Sequence, residues 1–132
     1  MSRGLGKLQR DLLAILEEND KSIDTITLTA LAYQDNPEAV VYEDRVTDAQ
    51  HATVRRALRN LHKRGLVVDL TRHTRDGRRY WASLKVGLPA RLHNLQLINS
   101  MSAAFRSGTR AEAEARATEM VAIQERMKQL GL

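Results

Sequence analysis

A chain of 132 residues has room for one compact domain and an appended element, and 42% apolar residues with only 4% aromatics calls for an aliphatic core. The absence of cysteine excludes disulfides and thiolate metal sites, and no apolar run approaches the roughly 20 residues that span a bilayer. The net charge of +5 is concentrated: Arg45 to Arg79 holds ten basic residues against Asp48, Asp69 and Asp76, for +7, while the remainder carries −2, an asymmetry that points to a polyanionic partner.

In chain order, Leu5, Leu8, Leu12, Ile15 and Leu16 recur at steps of three and four, so Gly6 to about Asn19 reads as an amphipathic helix. A shorter helix follows around Thr25–Gln34, built on Ile26, Leu28, Leu31 and Ala32. Asp35–Val46, with a proline, four carboxylates and the small apolar knot Val40-Val41-Tyr42, reads as a loop that is long for a connection inside a compact domain. Thr47-Asp48-Ala49-Gln50 matches a capping box, so the third helix should run from Asp48 to Arg64 and stop at Gly65, the residue type that turns the chain left-handed.

Beyond Gly65, LVVDLTRHTRDGRRYWASL reads as a β-hairpin turning at Arg75-Asp76-Gly77. A two-residue turn would set Val68 and Leu70 opposite Lys85 and Ser83. A three-residue turn sets them opposite Leu84 and Ala82, gathers the apolar side chains on one face, and is preferred for that reason. It leaves Thr71, His73, Arg79 and Trp81 on the other face, although Trp81 is read as a packing residue rather than a platform for a base. Gly87-Leu88-Pro89 reads as a boundary between residues 1–87 and residues 88–132.

Past that boundary, Leu92, Leu95, Ile98, Met101 and Phe105 mark a fourth helix up to Arg106, broken by Ser107-Gly108. Thr109-Arg110-Ala111-Glu112 is a second capping box, opening a last helix to Leu130. Ala113, Ala117, Met120, Gln124 and Met127 repeat at the spacing of a coiled-coil seam, in which Gln124 would set the register. Leu95, Ile98, Met101 and Phe105 with that seam are read as a dimerisation surface, because a lone helical pair would expose its second apolar edge.

The segment VRRALRNLHKRGLVV, Val54 to Val68, carries the functional reading. Turning about 100° per residue, Val54, Ala57, Leu58 and Leu61 gather on one side of the third helix. Ala49, Ala52, Arg56, Arg59 and Lys63 fall on the other. Like charges at helical spacing repel, so a partner outside the helix should balance them. A solvated helix face ordinarily mixes signs, and this one does not. The small residues let the first turns approach closely, and arginines can reach base edges and phosphates in a major groove about 12 Å wide.

Helix, helix, basic helix and basic hairpin: the sequence resembles the winged helix-turn-helix family of MarR- and PadR-like bacterial regulators. The resemblance covers about Leu5 to Leu84 and is carried by VRRALRNLHKRGLVV, similar to the ending of recognition helices there. It implies a mainly α fold with a small β-hairpin wing: a winged helix-turn-helix domain over 1–87, and C-terminal helices over 88–132. It further implies that the second helix braces, the third enters the major groove, and the wing touches backbone. Gln50, Thr53, Arg55, Arg56 and Arg59 then match the groove-reading helix, with Arg56 and Arg59 as candidates for base contacts. Lys63, Arg64, Arg72, Arg75, Arg78 and Arg79 match backbone contacts. Such regulators join their second and third helices by a tight turn, whereas Asp35–Val46 intervenes here.

The expectation is therefore a cytoplasmic, nucleoid-associated homodimer that binds double-stranded DNA sequence-specifically and regulates transcription, with no membrane association. Two alternatives stay open: a plasmid or phage replication or partition factor, and a winged helix used for protein–protein contact. RNA is a weaker partner because few aromatics offer stacking surface. His51, His62, His73 and His93 include no H-x-x-x-H pair, and there is no phosphate loop, nucleophile elbow or acid–base pair, so neither metal, cofactor nor enzymatic activity is expected. No convergent polar set marks an effector ligand.

Overall fold

In a computed structural model of the chain, residues 4–33, 46–70, 78–105 and 110–132 are described, with side chains excluded over 101–105. The expected loop Asp35–Arg45, the hairpin turn with Arg72, His73 and Arg75, and the Thr109 cap lie outside the described residues, as do the side chains of Met101 and Phe105. The described residues form five helices and a small antiparallel sheet, in the order α1 (Lys7–Glu18), β1 (Ile23–Asp24), α2 (Thr25–Ala32), α3 (Asp48–Lys63), β2 (Val67–Asp69), β3 (Tyr80–Ser83), α4 (Leu84–Phe105) and α5 (Arg110–Leu130). None of these helices is long and apolar enough to cross a membrane. The chain divides into two compact units, Met1–Gly87 and Leu88–Leu132.

In the first unit, Leu12 and Leu16 of α1, Leu28 of α2, and Val54, Ala57, Leu58 and Leu61 of α3 bury against one another and against Val67 and Trp81 of the sheet. Local chemistry sets the helix ends. Thr47 and Gln50 form the expected capping box at the start of α3, each side chain meeting the other's backbone N–H at 3.1 Å. Gly65, at φ 74°, turns the chain out of its C-terminus, a conformation glycine adopts without a Cβ penalty. At the head of α2, the Asp24 carboxylate accepts from the Thr27 backbone N–H at 3.3 Å and its hydroxyl at 2.6 Å.

The sheet departs from the sequence reading in three ways. First, the two-residue strand β1, absent from that reading, pairs with β3, so that β3 is central in the order β1-β3-β2. Second, Val68 lies opposite Ala82, and Asp69 opposite Trp81. The register is thus two residues from the preferred one, because Ser83 ends the strand and its hydroxyl accepts from the Val86 N–H, capping α4. Third, Val68 and Ala82 share a face opposite Trp81 as expected, but the Trp81 face is buried as well. Val67 and Trp81 point into the helical core, whereas Val68 on the opposite face is buried against Gly87. Covered on both faces at its base, the hairpin has no reason to alternate apolar with polar.

Gly87 and Pro89 do not interrupt the chain; they lie inside α4. Pro89, the sixth helical residue, removes only one backbone bond near an end where the first N–H groups lack helical partners anyway. Gly87 is required by packing: a Cβ there would stand 2.4 Å from the Val68 Cβ. Gly87→Ala adds about 1 kcal/mol of helix propensity. The clash with a side-chain root that cannot rotate away outweighs it, so we expect a net loss of about 1–3 kcal/mol by urea unfolding. In a double-mutant cycle with Val68→Gly the two costs should be less than additive, since the second change removes the Cβ that the first meets; a Gly87→Ala chain as stable as wild type would show the approach to be slack.

In the second unit, α4 and α5 are tied by an ion pair between the Arg91 guanidinium and the Glu119 carboxylate, at 2.9 and 3.1 Å. Asn99 adds to it, accepting from the Arg116 Nε and donating to the Ala113 carbonyl.

Candidate nucleic-acid interface

The aliphatic side of α3 is sealed and its cationic side is open. Val54, Leu58 and Leu61 are fully buried, while Arg55, Arg56, Arg59, Lys63 and Arg64 are all exposed. Among the described residues, no side-chain hydrogen bond or ion pair holds Arg55, Arg56, Arg59 or Lys63. Lys63 and Arg64, at the C-terminal end, gain from the helix dipole, which favours cations there. Arg55, Arg56 and Arg59 sit in the middle turns and have no such local reason.

The other expected base readers are engaged with their own helix. Gln50 is half-buried, with its Oε1 held by the Thr47 N–H at the cap, and the Thr53 hydroxyl donates to the Ala49 carbonyl at 2.8 Å. Asn60 leans the opposite way, accepting from Gln9 of α1 at 3.1 Å.

Tertiary structure divides the arginines into two sets. Arg55 and Arg59, one turn apart, line a hollow of about 450 Å³ together with His51 of the same helix, Arg78 and Arg79 ahead of β3, and the start of α2 at Asp24, Thr25 and Ile26. Arg56 and Lys63 do not line it and are exposed. Hydrogen bonds tie the hollow's frame together. At its base the Trp81 indole N–H donates to the Thr25 hydroxyl at 2.9 Å, and that hydroxyl donates in turn to the Arg79 carbonyl at 3.3 Å. The Thr25 backbone N–H donates to the same carbonyl at 3.0 Å. His62 meets the Trp81 ring edge-on, with centroids 6.3 Å apart.

Among the described residues lining the hollow, Asp24 is the one carboxylate, and it is already engaged. It caps α2 and pairs with Arg78 at 3.2 Å. The charge left over is that of Arg55, Arg59 and Arg79. Sequence reasoning missed Asp24, Thr25 and His51 as members of this site; an Asp ahead of T-I-T was the available signal, since aspartate is a favoured helix cap.

The expected dimerisation residues divide as well. Leu95 is 2% exposed in the single chain and so offers a partner nothing, whereas Ile98 is 39% exposed. On α5, Ala113, Met120 and Met127 are half-buried, while Ala117 and Gln124 are exposed and Ile123, which the heptad spacing left out, is the buried residue. Ile123 displaces the seam because it carries more apolar surface than either alanine, and the Arg91–Glu119 pair holds that side of the helix against α4.

Set against protein-family models, curated proteins and solved structures, the chain finds no match in any of the three.

Proposed function

We propose that this protein is a winged helix-turn-helix DNA-binding protein that acts as a homodimer in transcriptional regulation. In this reading α3 enters the major groove and the hairpin lies on the adjacent backbone. The observation that carries it is the pairing of a sealed aliphatic side of α3 with an exposed cationic side that no described residue neutralises. Among the described residues of the first unit, none pairs with the Arg55, Arg56 or Arg59 guanidinium group. The helix pair α2–α3 and the antiparallel β2–β3 hairpin that follows supply the scaffold such a reading requires. Among the described residues of the expected dimerisation surface, Ile98 on α4 and Ala117 and Gln124 on α5 are exposed to a second copy.

Selection of bound fragments from random duplexes tests the proposal. The full chain should enrich a palindromic site whose halves lie about 34 Å apart. Replacing Arg56 and Arg59 together by Ala should leave the unfolding midpoint unchanged and abolish enrichment, since loss of even one bidentate Arg–guanine contact removes about 1–3 kcal/mol of discrimination. Enrichment retained in that variant would remove α3 from the groove. A wild-type chain that sediments as a monomer at the concentrations where it binds would end the dimeric part of the reading. Binding to an acidic protein instead would weaken with salt less steeply than the roughly 0.9 log units per neutralised phosphate expected on DNA.

A further inference from the structure

Arg55 and Arg59 are separated from Arg56 by the hollow they line, and this separation has a chemical meaning. Arg55 and Arg59 stand four residues apart on one flank of α3, where like charges oppose each other. Arg79 joins them from the sheet side, and no described residue pairs with any of the three side chains. Three guanidinium groups gathered around a concave, framed space are unfavourable when it holds only water. A tetrahedral anion removes that cost, because guanidinium groups bond phosphate oxygens through two parallel N–H donors. At about 450 Å³ the hollow exceeds a single phosphate and has room for a phosphodiester with its flanking sugars. Arg56, about 100° around the helix from Arg55, is exposed and does not line the hollow.

We propose that the hollow bounded by α3, the start of α2 and the foot of β3 is a phosphate-binding site, filled by a backbone phosphodiester of bound DNA. Arg55, Arg59 and Arg79 then hold backbone, and of the arginines in α3 it is Arg56 that reads bases. The phosphate site stands on its own geometry; its assignment to DNA rests on the function proposed above.

Trp81 is the only tryptophan in the chain and lines the hollow, so its emission reports occupancy. In one arm, pyrophosphate alone is titrated into the full chain, into the double variant Arg55→Gln/Arg59→Gln, and into Arg10→Gln, which alters an exposed charge on α1 away from the hollow. A saturable change is expected in wild type and Arg10→Gln, and binding weaker by roughly tenfold in the double variant. A response that does not saturate, or one equal in all three chains, overturns the site.

In the other arm, a selected duplex and a random duplex are compared. Arg59→Gln should weaken both alike and lower the salt slope by about 0.9, the signature of a lost phosphate contact. Arg56→Gln should instead narrow the ratio between them. If Arg59→Gln narrows that ratio and leaves the slope intact, Arg59 reads bases and the diester assignment fails. Saturation by pyrophosphate with no binding to either duplex would refute the DNA reading and leave a site for a free phosphate compound. Duplex binding without any pyrophosphate response would do the reverse.

Discussion

Leu58→Asp is expected to leave the first unit without a folded state. Leu58 is fully buried in the middle of α3, among Leu12, Leu16, Leu28 and Trp81 in a core to which three helices and the sheet contribute. Truncation alone at such a site, as in Leu58→Ala, costs about 2–5 kcal/mol. Aspartate adds a carboxylate with no cation in the core to pair with, which must lose its hydration or take up a proton, at several kcal/mol more. Against the roughly 5–15 kcal/mol that holds a domain of this size together, the sum is decisive. The near-ultraviolet signal of the single tryptophan and the cooperative urea transition of the first unit should both disappear. Leu58→Met, which conserves volume, should lose less than about 1.5 kcal/mol. An Asp variant with a wild-type transition would mean that α3 does not bury this side, and the orientation of its cationic side would fall with it.

Trp81→Ala is expected to cost about 3–5 kcal/mol, the usual range for removing a buried large aromatic. Trp81 is 1% exposed and sits in the central strand, facing the helices. Its indole N–H is satisfied by the Thr25 hydroxyl, which also bridges to the Arg79 carbonyl. The substitution therefore empties the floor of the hollow and loosens the link between α2 and the hairpin together. Trp81→Phe separates the two effects, retaining most of the apolar area while removing the donor. Its expected cost is nearer 1–3 kcal/mol, because a buried hydroxyl loses a partner. Denaturant midpoints of the two variants, each with and without Thr25→Val, measure the coupling. Equal costs for Ala and Phe would assign the stability to the hydrogen bond; no coupling with Thr25 would assign it to packing alone.

Both expectations concern elements that differ in how far they can be read from local sequence. The bounds of α1 and α3 follow from spacing and caps: leucines at three- and four-residue steps, Thr47 with Gln50, and Gly65. Each of these signals acts within about one helical turn, so adjacent residues suffice to reveal it. The side of α3 that buries and the side left to solvent are decided at the same range. For that reason the cationic surface is legible in the sequence.

What tertiary structure decided are the relations between residues distant in sequence. Hairpin alternation failed as a guide to register because the base of the sheet is covered on both faces, and nothing near Val68 announces that Gly87 will approach it. Gly87 and Pro89 have the composition of a break, yet α4 runs through them, since packing outweighs propensity when one contact forbids a Cβ. On α5 the heptad pattern named Ala117 and Gln124, whereas bulk and an ion pair turned Ile123 inward. The hollow could not be read at all. It joins Asp24, Arg55 and Arg79 from three separate segments, and only folding brings their charges together. Sequence by itself determined that one side of one helix is positively charged; the fold determined which of those charges share a site and which stand apart.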